Sequence, residues 1–109
     1  MAVEDASGAT EQTYAVGYLQ SWYLSQCNDD WEHEFGVRIA TLDNPGWTLE
    51  IDLTDTDLAG RKLHKTKHEP SKGLWLWSWS DGTTFHAACD PSSLNRAILR
   101  FKDFAEARI

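Results

Sequence analysis

Two runs of alternating apolar and polar residues, joined by a tight turn, constrain this chain more than any other feature of its sequence. The runs cover residues 35–40 and 47–54. Alternation with a period of two is typical of a strand that buries one face. The turn segment Asp43-Asn44-Pro45-Gly46 predicts a type II turn in which Gly46 takes a positive φ. The pattern therefore predicts an antiparallel hairpin over residues 35–53, with Trp47 buried on its apolar face.

Further along the chain, a second group of strands is predicted. Residues 74–80 alternate, and Asp81-Gly82 supplies a hairpin turn into a strand at residues 83–88. A weaker, charged strand is predicted at residues 62–67, ending where Pro70 to Gly73 interrupts it. Together with the first hairpin these runs give about five short strands, and consecutive hairpins imply an antiparallel sheet.

Both ends of the chain carry helical periodicity. After a loose leader over residues 1–9, apolar residues recur every three or four positions from Thr10 to about Cys27. Near the other end, Asp90-Pro91 predicts an N-cap followed by proline at the first helical position. We therefore expect one α+β domain over residues 10–109, in which an N-terminal and a C-terminal helix pack on one face of the antiparallel sheet. The predicted apolar stripes are Ala15, Tyr18, Leu19, Trp22, Tyr23 and Gln26 in the first helix and Leu94, Ala97, Ile98, Phe101, Phe104 and Ala105 in the last.

Composition and charge narrow the classes of partner. No apolar run approaches the ~18 residues of a membrane span, and none follows Met1 as a secretory signal would, so we expect a cytoplasmic protein. Seventeen Asp and Glu against ten Lys and Arg give a formal charge of −7. Such a charge disfavours nucleic acid and anionic membranes as partners, and it favours a basic protein.

The segment from residue 28 to residue 34 groups four carboxylates around Trp31. One interpretation is that Trp31 packs into the core while the acids solvate the loop. The other is that the loop binds a basic protein with Trp31 as a buried anchor, and the sequence does not choose between them. A second acidic surface is expected on the polar face of the first hairpin. The candidate partner-binding residues are Asp29, Asp30, Trp31, Glu32, Glu34, Glu50 and Asp52.

Three tryptophans, Trp75, Trp77 and Trp79, share one face of a predicted strand and are called the Trp stripe below. Each Trp can bury roughly 150–250 Å², so the stripe either dominates the core or forms an exposed patch. Because the opposite face carries Ser78 and Ser80, we expect the stripe to lie in the core.

Few residues suggest catalysis or metal binding. Cys89 precedes a predicted helix N-terminus, where the dipole favours thiolate, but its spacing to Arg96 is one residue too long for a phosphate-binding loop. On a strand, His64 and His68 would lie roughly 13 Å apart, too far to share a metal ion. We predict no catalytic residue, no metal and no cofactor. The alternatives left open are a small thiol-dependent enzyme and a module that binds a small molecule between the Trp stripe and the helices.

Four segments carry a resemblance to a known family. They are Leu-Gln-Ser-Trp-Tyr-Leu-Ser-Gln-Cys (19–27), Asp-Trp-Glu-His-Glu-Phe-Gly (30–36), Thr-Leu-Asp-Asn-Pro-Gly-Trp (41–47) and Ile-Asp-Leu (51–53). These segments resemble the immunity protein 53 family of bacterial polymorphic toxin systems. The resemblance implies a cytoplasmic antidote, without catalytic residues, that binds and neutralises a cognate toxin. The acidic balance of the chain adds that the toxin is expected to be basic, and a nuclease would fit because it binds phosphates.

Overall fold

One five-stranded sheet with helices on one face makes up the fold. The computed structural model describes residues 6–109, with side chains from Tyr14 onward. The elements are α1 (Ala6–Gln26), α2 (Trp31–Glu34), β1 (Val37–Leu42), β2 (Gly46–Asp52), β3 (Lys62–Ser71), β4 (Leu74–Asp81), β5 (Thr84–Cys89) and α3 (Leu94–Ala105). The strand order is β1-β2-β5-β4-β3, and all neighbouring strands are antiparallel. The predicted α+β class is confirmed.

The first hairpin forms where the alternation predicts it. β1 pairs with β2 from Val37 opposite Ile51 to Leu42 opposite Gly46. The predicted type II turn is wrong, because Gly46 begins β2 and does not take a positive φ. A side chain at Gly46 would instead collide with the backbone carbonyl oxygen of Cys89. Glycine is therefore required at this position by the close approach of β5 and not by the turn.

The remaining strands follow the predicted order with one difference in length. β3 continues through Pro70 and ends at Ser71. A proline is tolerated there because β3 is an edge strand and one side of its backbone needs no hydrogen-bond partner in the sheet. The turn between β4 and β5 has Gly82 at φ +97°. Pairing of β2 with β5 places Glu50 opposite His86, so the two predicted hairpins lie side by side.

Both long helices differ from prediction at their first residues. α1 begins at Ala6, before the predicted start at Thr10, so residues 6–9 of the predicted leader are helical and residues 1–5 lie outside the described part of the chain. α3 begins at Leu94, and its N-cap is Ser93 and not Asp90. Among residues 6–109, none of the helices combines the length and the hydropathy that a membrane span requires.

The core lies between the sheet and the two long helices. Its buried residues are Ala15, Leu19, Leu49, Ile51, Leu53, Leu58, Phe85, Ala87, Cys89, Ala97, Ile98, Phe101 and Phe104. They come from alternate positions of β2 and β5, from the predicted stripes of α1 and α3, and, for Leu53 and Leu58, from the loop after β2. Face-to-edge contacts among the aromatic rings, such as Phe85 with Phe101 at 5.2 Å, fill the centre.

Asp90 organises the segment that leads into α3. Its buried carboxylate accepts hydrogen bonds from the backbone N–H of Trp75 (2.8 Å) and of Ser92 (2.9 Å). It also accepts hydrogen bonds from the hydroxyls of Ser92 (2.7 Å) and Ser93 (2.6 Å). The carboxylate therefore joins β4 to the turn before α3, and this turn delays the start of the helix beyond the predicted position.

Trp47 lies on the predicted core-facing side of β2 but is only half-buried. Its Nε1–H donates to the carbonyl oxygen of Pro91 at 2.9 Å. We expect Trp47→Ala to lower the free energy of unfolding by about 2–3 kcal/mol, somewhat less than a fully buried Trp would lose. Urea denaturation of the two proteins measures this difference. A loss below about 1 kcal/mol would show that the ring contributes little packing.

The position predicted for the Trp stripe is wrong. Leu76, Ser78 and Ser80 face the helices, so Trp75, Trp77 and Trp79 lie on the opposite, open face of the sheet, where they are half-buried. The two buried serines are accommodated by hydrogen bonds. Ser78 Oγ accepts from Arg100 Nε (3.1 Å), and Ser80 Oγ donates to the carbonyl oxygen of Arg61 (2.7 Å).

Candidate functional site

Trp31 belongs to the core side of the acidic segment. It begins the single turn of α2 and is 4% exposed. Its ring contacts Trp22 at 6.0 Å and Tyr23 at 6.1 Å, and its Nε1–H donates to the carbonyl oxygen of Thr54 at 2.9 Å. The burial favours the first of the two interpretations, in which Trp31 packs into the core, because its ring and its only polar side-chain atom are already used within the chain.

Hydrogen bonds to Glu32 and Asn28 determine the shape of the acidic segment. Glu32 carboxylate oxygens accept the backbone N–H of Asn28 (2.9 Å) and of Asp29 (2.8 Å). The pKa of Glu32 lies below its ordinary value, because the carboxylate accepts hydrogen bonds from the backbone N–H of Glu32 itself and from those of Asn28 and Asp29. Asn28 Oδ1 in turn accepts the N–H of Asp30 and Trp31. Glu32 therefore has a structural partner, whereas the carboxylates of Asp29, Asp30 and Glu34 point to an exposed surface.

An acidic cleft of about 250 Å³ opens beside this segment. Asn28, Asp30, Trp31, Glu34, Phe35 and Asp55 line it. Asp55 lies in the loop after β2, where its backbone has a φ of +62°, and it lines the cleft from that side. Sequence reasoning missed Asp55 because only the folding of the first hairpin brings it next to α2. Three carboxylates around an aromatic floor give a site that suits a guanidinium or ammonium group.

Exposed apolar side chains of α1 adjoin the acidic segment. Tyr23, whose ring contacts Trp31, is 38% exposed, and Leu24 beside it is 69% exposed. Apolar groups next to charges are the usual combination at the centre and rim of a protein interface. This end of α1 therefore extends the acidic cleft into a larger candidate surface.

Glu50 and Asp52, the second pair of predicted contact residues, are engaged in an ion-pair network on the open face. Arg38 forms a two-pronged hydrogen-bonded pair with Asp52 (3.0 Å for both bonds) and also contacts Glu50 (3.1 Å). The pKa of Asp52 lies below its ordinary value, mainly because Arg38 donates hydrogen bonds to its carboxylate. Partial burial opposes this shift, and the hydrogen bond from the N–H of Gly36 adds to it. These carboxylates tie β1 to β2, so they are less available to a partner than Asp30 and Glu34.

Cations and an imidazole cover the Trp stripe on the open face. Lys65 Nζ lies 4.9 Å from the ring centroid of Trp77 and 4.7 Å from that of Trp79. His86 stacks on Trp79 with centroids 5.0 Å apart. Since lysine stems shield apolar surface while their charges stay in water, the stripe is stable without a helix above it. The sequence left open a small-molecule pocket between the stripe and the helices. Trp77 and Trp79 lie on the opposite face of the sheet from the helices, whereas Trp75 lines a cleft of about 180 Å³ together with Arg96 of α3.

The thiol and histidine chemistry raised by the sequence finds little support. Cys89 is buried at the end of β5, and burial, reinforced by the negative charge of Asp90, raises the pKa of its thiol to about 11. A thiol of that kind stays protonated at neutral pH, unlike a catalytic nucleophile. Over the described residues, no group of three or more His, Cys, Asp or Glu converges in a way that could hold a metal ion.

Comparison with known proteins identifies the family. No curated protein and no solved structure matches the chain. The family model described as immunity protein 53 matches residues 16–106. That range includes the acidic cleft, the whole sheet and all of α3, so the match is not confined to one motif. The chain therefore belongs to the immunity protein 53 family.

Proposed function

We propose that this immunity protein neutralises a cognate toxin in the cytoplasm by binding it through the acidic cleft. Membership of the family supports an inhibitory role that needs no chemistry of its own. The thiol of Cys89, whose burial raises its pKa to about 11, agrees with such a role because it would stay protonated at neutral pH. The protein would then act by binding the toxin tightly and covering the surface that the toxin needs for its activity.

The observation that carries the proposal is the arrangement of Asp30, Glu34 and Asp55 around one cleft. Their carboxylates are exposed and make no salt bridge within the described residues. A Lys or Arg side chain of a toxin would replace water there and gain charge-assisted hydrogen bonds. The formal charge of −7 would accelerate the encounter with a basic toxin.

A nuclease is the toxin class that this surface fits best. An enzyme that binds nucleic acid presents Lys and Arg where phosphates lie. The carboxylates of Asp30, Glu34 and Asp55 around one cleft offer such a surface the negative charge that the nucleic acid supplies. Binding there would cover the substrate site of the toxin and so block its activity.

Reversal of the cleft charges tests the proposal. We expect Asp30→Lys/Glu34→Lys to slow association with the cognate toxin by about tenfold or more at low ionic strength and to reduce the dependence of that rate on salt. Dissociation should also become faster, because the charge-assisted hydrogen bonds in the cleft are lost. Stopped-flow or surface plasmon resonance measurements at two salt concentrations give both rates.

A matched control uses Asp43→Lys/Glu69→Lys, which makes the same change in net charge at residues that do not line the cleft. This control should slow association much less. Equal effects of the two double variants would mean that only the net charge matters. Unchanged rates in the cleft variant would contradict the acidic cleft as the binding surface.

A further inference from the structure

A cleft of the opposite charge lies between α3 and β3. It has a volume of about 360 Å³ and is lined by side chains of both elements and by Leu76 and Ser78 of β4. A smaller cleft of about 180 Å³ shares His68, Leu76 and Arg96 with it. The two together are called the α3–β3 groove.

The groove exists because α3 does not cover the whole sheet. α3 packs on β2, β4 and β5, whereas β3 is the edge strand beyond β4. The space above Thr66 and His68, the residues of β3 that face the helix side, therefore has no helix to fill it. The result is a concave site that is lined by a helix and two strands and not by loops.

Two arginines give the groove its charge. Arg96 and Arg100 lie one helical turn apart on α3 and both line the groove. The hydrogen bond from Arg100 Nε to Oγ of buried Ser78 holds that guanidinium in place. Across the described residues, neither arginine makes a salt bridge, although Asp103 lines the same groove. In a chain with seventeen acids, two unpaired guanidinium groups facing one groove are notable.

We propose that the α3–β3 groove binds an acidic, extended segment of the partner protein, whose carboxylates pair with Arg96 and Arg100. The identification of that partner as the toxin rests on the proposed function. Residues 93–103, from the N-cap of α3 to its third turn, run along the groove and span about 15 Å, the length of four or five extended residues. The planar fork of an arginine matches a carboxylate in two hydrogen bonds, and a pre-positioned fork loses little freedom on binding.

The groove and the acidic cleft together would determine how a partner is oriented. A partner with a basic group for the cleft and an acidic segment for the groove would fit in one orientation only, because the reversed one would oppose like charges. Specificity among toxins of similar net charge would then come from the groove.

A peptide of alternating Glu and Asp, five residues long and labelled with a fluorophore, tests the groove without the toxin. We expect fluorescence anisotropy at low ionic strength to show binding to the full chain, and no binding of the matched Gln/Asn peptide. Arg96→Gln/Arg100→Gln should weaken binding about tenfold or more, because hydrogen bonds to charged groups are the strong ones. Arg96→Lys/Arg100→Lys should restore it only in part, since lysine keeps the charge but lacks the fork.

Controls separate the groove from charge and folding effects. Lys62→Gln/Arg108→Gln makes the same change in net charge away from the groove and should leave peptide binding unchanged. Arg96→Gln alone alters an exposed side chain, so this variant should remain folded and should still weaken binding. No peptide binding, equal loss in the control, or binding of inorganic phosphate but not of the peptide would overturn the proposal. The cleft variant Asp30→Lys/Glu34→Lys should bind the peptide at least as well, so failure of the cleft and failure of the groove give different results.

Discussion

Replacement of Asp90 with alanine should lower the free energy of unfolding by about 3–4 kcal/mol. Four donors, two backbone N–H groups and two hydroxyls, lose their acceptor, and each unsatisfied buried group costs about 1–3 kcal/mol. The hydroxyls can rotate to other acceptors, and removal of a buried charge returns part of the loss, which keeps the total below the simple sum. Urea denaturation at pH 7 measures it.

Asp81 provides the matched control for this prediction. Its exposed carboxylate accepts three hydrogen bonds from Thr83 and Thr84 in the turn between β4 and β5. Asp81→Ala should cost only about 1 kcal/mol, because water replaces the lost acceptor. A loss for Asp90→Ala no greater than that of Asp81→Ala would contradict the structural role assigned to the buried carboxylate.

The pKa values of Asp90 and Asp81 allow a prediction of how the stability of the protein depends on pH. Burial opposes ionisation of Asp90, but hydrogen bonds from Ser93, Ser92 and the N–H of Trp75 outweigh it, so its pKa lies below the ordinary value. Hydrogen bonds from Thr83 and Thr84 lower the pKa of Asp81 to about 2. A lowered folded-state pKa adds stability above the unfolded pKa of about 3.9, and that stability disappears as the pH falls towards the folded value. The stability difference between wild type and Asp90→Ala should therefore shrink between about pH 5 and pH 2.

Trp31→Ala should lower the free energy of unfolding by about 3–5 kcal/mol, the usual range for a buried aromatic side chain. The substitution removes contacts with Trp22, Tyr23 and Phe35, and it leaves the carbonyl oxygen of Thr54 without its donor. Thermal and urea denaturation followed by far-ultraviolet circular dichroism measure the loss without relying on tryptophan fluorescence.

Trp31→Phe separates the two contributions to this effect. Phenylalanine keeps most of the apolar contact but lacks the Nε1–H, so the expected loss is about 1–2 kcal/mol. A loss below about 1 kcal/mol for Trp31→Ala would show that the ring is not packed in the core, and it would favour the interpretation of Trp31 as an anchor for a partner.

Local patterns were sufficient to predict most of the fold. The period-two alternation of β2 places Leu49 and Ile51 in the core, and the helical spacing of α3 buries Phe101 and Phe104, as predicted. These predictions succeed because each element buries one face and its residues report that face directly. Family membership, predicted from segments in the first half of the chain, is confirmed over residues 16–106.

What sequence reasoning could not supply depends on contacts between distant elements. It chose the wrong face of β4, because Ser78 and Ser80 are polar in sequence but are satisfied in the core by Arg100 and by the carbonyl of Arg61. Tryptophan is amphipathic, so a Trp stripe alone does not identify a buried face.

The candidate site was predictable only in part for the same reason. The acidic segment itself is visible in the sequence, but the burial of Trp31 and the arrival of Asp55 at the cleft follow from the packing of α2 against the loop after β2. The charged groove was not anticipated, because Arg96 and Arg100 meet the edge strand only once α3 crosses the sheet.

The strand order has a consequence for how the chain folds. Three of the four neighbouring strand pairs, β1 with β2, β3 with β4 and β4 with β5, are hairpins between consecutive strands. The pairing of β2 with β5 joins residues far apart in sequence, such as Glu50 and His86. Hairpins form in microseconds. Pairing of β2 with β5 must instead close the segment of residues 53–83 between them, and this costs more conformational entropy before the contacts form. The rate-limiting step of folding should therefore be the docking of the first hairpin onto β5, where Leu49 and Ile51 meet Phe85 and Ala87 in the core.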